Sequence, residues 1–190
     1  VEKTLKKTRT TLVFSVDKPK VDGNIVDGYF SDADNELVIT TKDCWPEILV
    51  HEFCHYLQWI EKCKYWTNLD IDDTNCLDLM WKWINHEIEL SKAKRKIVFS
   101  RIRDMELDCE RRTVELIKKY NLPINLKEYI CFANVYIYYY NFARVTRKWF
   151  PDEVSPMTMD KVHSLMPKSL EGKRNKMSEE MFNTMALYFS

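Results

Sequence analysis

Glycine is scarce in this 190-residue chain: there are three, and none lies between Gly28 and Gly172. A stretch that long without the residue that most readily interrupts helices is expected to be mainly helical. Net charge is also missing, because Lys+Arg and Asp+Glu both number 29. That balance removes the broad positive field of a protein whose main partner is a nucleic acid backbone or an anionic membrane. No C-x-x-C occurs among Cys44, Cys54, Cys63, Cys76, Cys109 and Cys131. Most of them fall in segments of helical pattern, where a free cysteine behaves as a small hydrophobe, so free thiols and a reducing compartment are expected. Long apolar runs are lacking too: the N-terminus offers none of signal-peptide length, and "YICFANVYIYYYNFA" is interrupted by Asn134 and Asn141. A soluble, cytoplasmic protein without a membrane partner is the expectation.

What is present is enough to build a core. Hydrophobic residues make up 45% and charged residues 31%, so the chain should fold, with one domain over 1–150 and a loop-rich tail over 151–190 packed on it. Strands are expected in "TLVFSV" (11–16), "GNIVDGYFSD" (23–32) and "NELVITT" (35–41), which are β-branched and aromatic. Asp22-Gly23, Asp27-Gly28 and Asp34-Asn35 punctuate them with turn chemistry. The first helix follows at "DCWPEIL": Asp43 can cap it, Pro46 suits its first turn, and Glu47 meets the positive end of the helix dipole. It should reach about Cys63. Further helices are expected near Thr74–Leu90 with Asp73 or Thr74 as cap, over Lys92–Tyr120, over Leu126–Trp149 ending before Pro151, and near Ser178–Phe189. The class is α+β: a small, mostly antiparallel N-terminal sheet followed by helices. The tail also offers a cover for a cleft, which truncation after Asp152 would test as a rise in activity.

Histidine is rare, four residues in all, yet two of them stand in "LVHEFCHYLQW" as His51 and His55 with Glu52 between. Residues four apart lie one above the other on a helix, so both imidazoles can face one metal ion. Glu52, one step around, can reach water at that ion without taking a coordination position, which suits a general base. Packed core histidines are the plain alternative. In a chain so poor in histidine, H-E-x-x-H arises by chance about one time in a hundred or less, and here it follows a strand and sits in a capped helix. Two histidines do not complete a catalytic zinc site, which takes three protein ligands and an open position. The third can be His86, His163 or a carboxylate. Glu106 and Glu110, four apart in "RDMELDCERRTVELI", share a helix face; one can ligate while the other hydrogen-bonds a ligating histidine.

"HEFCH" followed about fifty residues later by "ELDCERRTVELI" resembles the zincin metallopeptidases of the glutamate-ligand (gluzincin) type. It is similar in particular to the ImmA/IrrE-like peptidases and to metallopeptidases encoded by bacteriophages. Their third-ligand helix reads approximately E-x-E-A-[ND]-x-F-A-x-x-L-L. On that pattern Glu106 falls at the ligand position, Asp108 at the second acidic position, Cys109 at the small residue, Glu110 at the Asn/Asp and Leu116-Ile117 at the apolar pair. Arg112 and Thr113 stand where Phe-Ala is usual.

The resemblance implies a zincin-like domain with zinc as cofactor, His51, His55 and Glu106 as its ligands, and Glu52 as the base that hydrolyses a peptide bond in a protein or peptide substrate. For a phage-encoded protein the location implied is the host cytoplasm. It also implies that substrate pairs with an edge strand just before the active-site helix, the place of "NELVITT". An oxyanion stabiliser is expected too. Tyr136, Tyr138, Tyr139, Tyr140 and His163 are the candidates, although tyrosines at helical spacing more often pack a core. The basic run "SKAKRKIVFSRIR" (91–103) interleaves with apolar residues at helical spacing and reads as a solvated helix face before a docking surface.

Overall fold

Residues 1–21, 24–41, 44–150 and 159–189 are described by a computed structural model. In chain order the elements are α1 (Glu2–Thr8), β1 (Thr11–Ser15), β2 (Lys20–Val21), β3 (Asn24–Ile25), β4 (Gly28–Ser31), β5 (Glu36–Thr40) and α2 (Trp45–Ile60). They continue with α3 (Lys64–Thr67), β6 (Asp70–Ile71), β7 (Thr74–Asn75), α4 (Cys76–Ile84), α5 (Lys92–Tyr120), α6 (Leu126–Thr146), α7 (Asp160–Ser164) and α8 (Glu179–Phe189). The class is α+β, with the three-stranded sheet near the N-terminus and helices over most of the remainder. The Asp22-Gly23 turn, the Asp43 cap and Pro151 lie outside the described residues. No helix among the described residues is long and apolar enough to cross a membrane. All six cysteines are free thiols.

The chain forms two compact units, Val1–Cys63 with Cys109–Ile124, and Lys64–Asp108 with Asn125–Ser190. In the first, β5 is the middle strand of the order β1-β5-β4. Leu37, Val38, Ile39 and Thr40 are all buried, so "LVIT" is a continuous run rather than an alternating one, as expected of a strand covered on both faces. β5 runs antiparallel to β4, to which Asn35 joins it in a left-handed turn conformation (φ 53), and parallel to β1, with Leu12 opposite Leu37. The other strand pairs among the described residues, β2–β3 and β6–β7, are antiparallel. Placing the substrate edge at "NELVITT" is therefore corrected: β5 already has a partner on each side, and the edges of this sheet are β1 and β4. Helix α2 packs on β4 and β5. Leu5, Leu37, Ile39, Phe53 and Tyr56 form the core of the unit, and the Tyr56 hydroxyl donates to the Thr4 carbonyl at 3.0 Å, tying α1 to α2.

The second unit is built on α4, the first part of α5, and α6, with Trp83, Phe99, Ile102, Tyr139 and Phe142 in its core. Asp72 and Asp73, both at positive φ (51 and 60), make the tight turn of the β6–β7 hairpin. As a result α4 starts later than expected, and its cap is Asn75, whose Oδ1 accepts the Leu77 N–H at 2.9 Å, rather than Asp73 or Thr74. It also ends earlier, at Ile84, followed by left-handed His86 (φ 63). Left-handed Arg147 (φ 59) likewise closes α6 three residues before Trp149. Its guanidinium Nε donates to the Trp83 carbonyl at 2.6 Å.

The end of the chain belongs to this core. Val162, Met166, Leu170, Met181 and Met185 are buried. Arg174 is buried too, donating from Nε to Asn134 Oδ1 at 2.9 Å while Asn141 Nδ2 donates to its carbonyl at 2.6 Å. Five such apolar side chains contribute roughly 10 kcal/mol, as much as the whole stability of an ordinary domain, ~5–15 kcal/mol. Truncation after Asp152 is thus expected to abolish the cooperative unfolding transition in calorimetry. A truncated chain with an unchanged transition would show that this packing contributes little.

Candidate metal centre

The centre begins with one helix. Pro46 stands in the first turn of α2, where its missing N–H costs nothing, and Cys44 precedes the helix without a side-chain cap. His51 and His55 then face each other, with Nε2 to Nε2 at 3.1 Å and ring centroids 4.7 Å apart. Each ring's other nitrogen is committed. His55 Nδ1 lies 2.9 Å from Gln58 Oε1, and His51 Nδ1 lies 3.2 Å from Glu110 Oε1. Both oxygens can accept, an arrangement in which a proton on each Nδ1 leaves both Nε2 atoms with lone pairs. Two lone pairs pointed at each other across 3.1 Å repel unless a cation stands between them. The separation is close to the about 3.3 Å between two nitrogens bound at ~2.0–2.1 Å to one tetrahedral zinc. Donor chemistry and geometry thus fit a metal ion.

Cys109 completes the group. The donor atoms of His51, His55 and Cys109 all lie within 4.8 Å of one another, and these three residues can hold a metal ion. The Cys109 sulfur is 3.7 Å from His51 Nδ1 and donates to the His51 carbonyl at 3.2 Å. It therefore sits on the Nδ1 side of that ring, beside the nitrogen that Glu110 holds. Its hydrogen bond is also the main cause that pulls the Cys54 thiol below its ordinary pKa, in opposition to burial. Thr113 and Arg112, which depart from the peptidase pattern, have local duties in this unit. The Thr113 hydroxyl donates to the Cys109 carbonyl at 3.0 Å, and Arg112 pairs with Glu61 at 2.6 Å, joining the end of α5 to the end of α2.

Glu52 lies on the side of α2 turned to β4. A Cβ built on Gly28, the first residue of β4, would stand 3.3 Å from Glu52 Cγ, 2.9 Å from the Val38 carbonyl oxygen and 2.6 Å from Ile48 Cγ2. Only a glycine lets strand and helix approach so closely, because the backbone oxygen cannot give way. Gly28→Ala is expected to lower the denaturation midpoint by an amount equivalent to about 1–3 kcal/mol, the usual cost of overpacking. An unchanged midpoint would mean that the strand shifts freely.

The other expected residues belong to the second unit. Glu106 is buried on α5, in the second unit, and its Oε1 accepts from the Tyr140 hydroxyl at 3.4 Å. Tyr140 Oη is in turn 2.8 Å from Tyr136 Oη, and burial above all holds the Tyr140 phenol well above its ordinary pKa. Tyr139 packs on Trp149 and Phe150, and the Arg174 guanidinium lies over the ring of Tyr138. His163 packs against Phe132, while His86 is exposed beyond α4. Gln58 carries only a weak sequence signal, its position three residues after His55 on the same helix face, and by sequence Cys109 reads only as a small residue.

Together these features define the class: an α+β protein with a helix-borne two-histidine site able to hold a metal ion. No family model, curated protein or solved structure matches the chain.

Proposed function

We propose that the chain is a zinc-dependent peptidase of the gluzincin type, with His51, His55 and Glu106 as ligands and Glu52 as general base. The observation that carries this reading is the pair of Nε2 atoms converging at 3.1 Å while Gln58 and Glu110 stand at the opposite nitrogens. Glu106 is the ligand that the resemblance implies. Glu110, one helical turn away, is engaged with His51 Nδ1, as a residue supporting a ligand would be.

A bound zinc ion would supply Lewis-acid chemistry, lowering the pKa of water toward neutrality and polarising a carbonyl. The residues do the rest. The Glu52 carboxylate takes the proton of the attacking water and returns it to the leaving amine. His51 and His55 keep their tautomers through Glu110 and Gln58, so neither has to reorient when the ion binds. Of the two sheet edges β4 is the one that abuts α2 beside Glu52, and an extended peptide adding to β4 would be oriented by backbone hydrogen bonds. The substrate is thus a peptide or protein, and nucleic acid is not the main partner. A cytoplasmic site of action, in a host cell if the protein is phage-encoded, agrees with six free thiols.

A non-catalytic module with a structural metal is the second reading, favoured by the Cys109 sulfur beside the histidines. Glu52 separates the two, since a structural site has no use for a base beside an open position. The test is digestion of a synthetic peptide pool by zinc-loaded protein, followed by mass spectrometry. Cleavage products that require both zinc and Glu52 support the first reading, and none at any zinc concentration sinks it.

A further inference from the structure

Glu47 has no part in that mechanism, and its placement calls for one. It lies in the first turn of α2, four residues before His51, so that residues 47, 51 and 55 follow one face of the helix. Its Oε2 is buried, and among the described residues no hydrogen-bond donor reaches it. A buried carboxylate oxygen left without a donor is destabilising, and a ligand supplying the cation would relieve it. The Lys18 ammonium, whose charge acts on Cys44 just before the helix, is paired with Asp27 at 2.8 Å. The charges of Asp27 and Glu47 both push up the Cys44 thiol, after its burial, so the two carboxylates flank one spot at the start of the helix. That spot adjoins the edge strand, because Ile48 is the residue against which Gly28 of β4 packs. A peptide laid along β4 would pass the first turn of α2. Four helical residues rise about 6 Å, the length of roughly two residues of extended chain.

We propose that Glu47 is a specificity-determining residue of this site, whose carboxylate accepts the ammonium or guanidinium of a lysine or arginine side chain within two residues of the bond to be cut. This rests on the peptidase reading for the identity of the ligand but not for the recognition itself, so the test separates the two. Zinc-loaded E52Q protein, unable to turn over, is titrated with N-acetylated peptides that differ only in lysine against its uncharged isostere norleucine; acetylation leaves the side chain as the one cation. The lysine peptide is expected to bind roughly tenfold to a hundredfold more tightly, as for a hydrogen bond to a charged group. The contrast should vanish when E47Q is added and reverse toward glutamate-containing peptides with E47K. In the wild-type protein, lysine or arginine should be enriched within two residues of the bonds cut in the peptide pool.

Equal binding of the two peptides, or a contrast that survives E47Q, overturns the proposal, as does tight binding only of peptides with a free α-amine. Loss of zinc from the E47Q protein would also overturn it, because Glu47 would then be a ligand. Cleavage of the pool without a basic preference removes the specificity and leaves the peptidase standing. The binding contrast without any cleavage removes the peptidase and leaves the recognition.

Discussion

Replacing Glu52 by glutamine is expected to leave zinc content and thermal unfolding unchanged and to lower peptide cleavage by about 10²–10⁴-fold, the range that a positioned general base contributes. The amide is close in shape to the carboxylate and cannot accept the proton of water. Glu52 is half-buried on the flank of α2, with its Cγ only 3.3 Å from where a Cβ on Gly28 would stand. A change of side-chain shape there risks the packing, which is why glutamine rather than alanine is the informative choice. Zinc per chain by mass spectrometry, a melting curve and a rate on one pool peptide decide the matter together. Undiminished hydrolysis with zinc in place would remove Glu52 from the mechanism and with it the peptidase reading built on that residue.

The second large effect is on the metal. His51→Ala and Glu106→Ala are each expected to leave the protein without stoichiometric zinc. Glu110→Ala and Gln58→Leu should retain it with affinity weakened about 10–100-fold, the usual result of losing a partner of a ligating histidine. The physical distinction is that a ligand supplies the bond, whereas Glu110 and Gln58 hold a proton on Nδ1 of His51 and His55 so that Nε2 keeps its lone pair. Competition against a fluorescent chelator measures the four variants on one scale. If Glu110→Ala lost the ion and Glu106→Ala kept it, the carboxylate ligand would be Glu110. If the native chain bound no zinc after reconstitution, the convergent histidines would need another explanation, such as a shared proton.

How legible the site was depends on how far apart its members lie. His51 and His55 could be placed on one face from their spacing, because a helix is a local structure and its repeat is the same everywhere. The bounds of α5, Lys92–Tyr120, were legible for the same reason: a long periodic segment without glycine or proline. The pair Glu106 and Glu110 could likewise be set on one face, but not sorted. Which carboxylate meets an imidazole depends on how the end of α5 packs against α2, and that is a matter of contacts made 58 and 59 residues apart, between His51 and Cys109 or Glu110. Gln58 was in plain view three residues from His55, yet many side chains of that type at that spacing bond to nothing of consequence.

The sheet gives the same lesson from the opposite side. Its strands were visible as β-branched segments, and the apolar run of β5 was itself a sign of a strand covered on both faces. Direction was not visible, since the pattern of side chains along β1 is the same whether it runs with β5 or against it. The sequence by itself determined that His51, Glu52 and His55 share one helix, because propensity and helical repeat act within a few residues. Tertiary structure alone decided that β4 is the edge beside Glu52, that Glu110 and Gln58 stand at the outer nitrogens of the two histidines, and that residues near the C-terminus complete the core of the second unit. These depend on the packing of segments distant in sequence, for which a local pattern carries no signal.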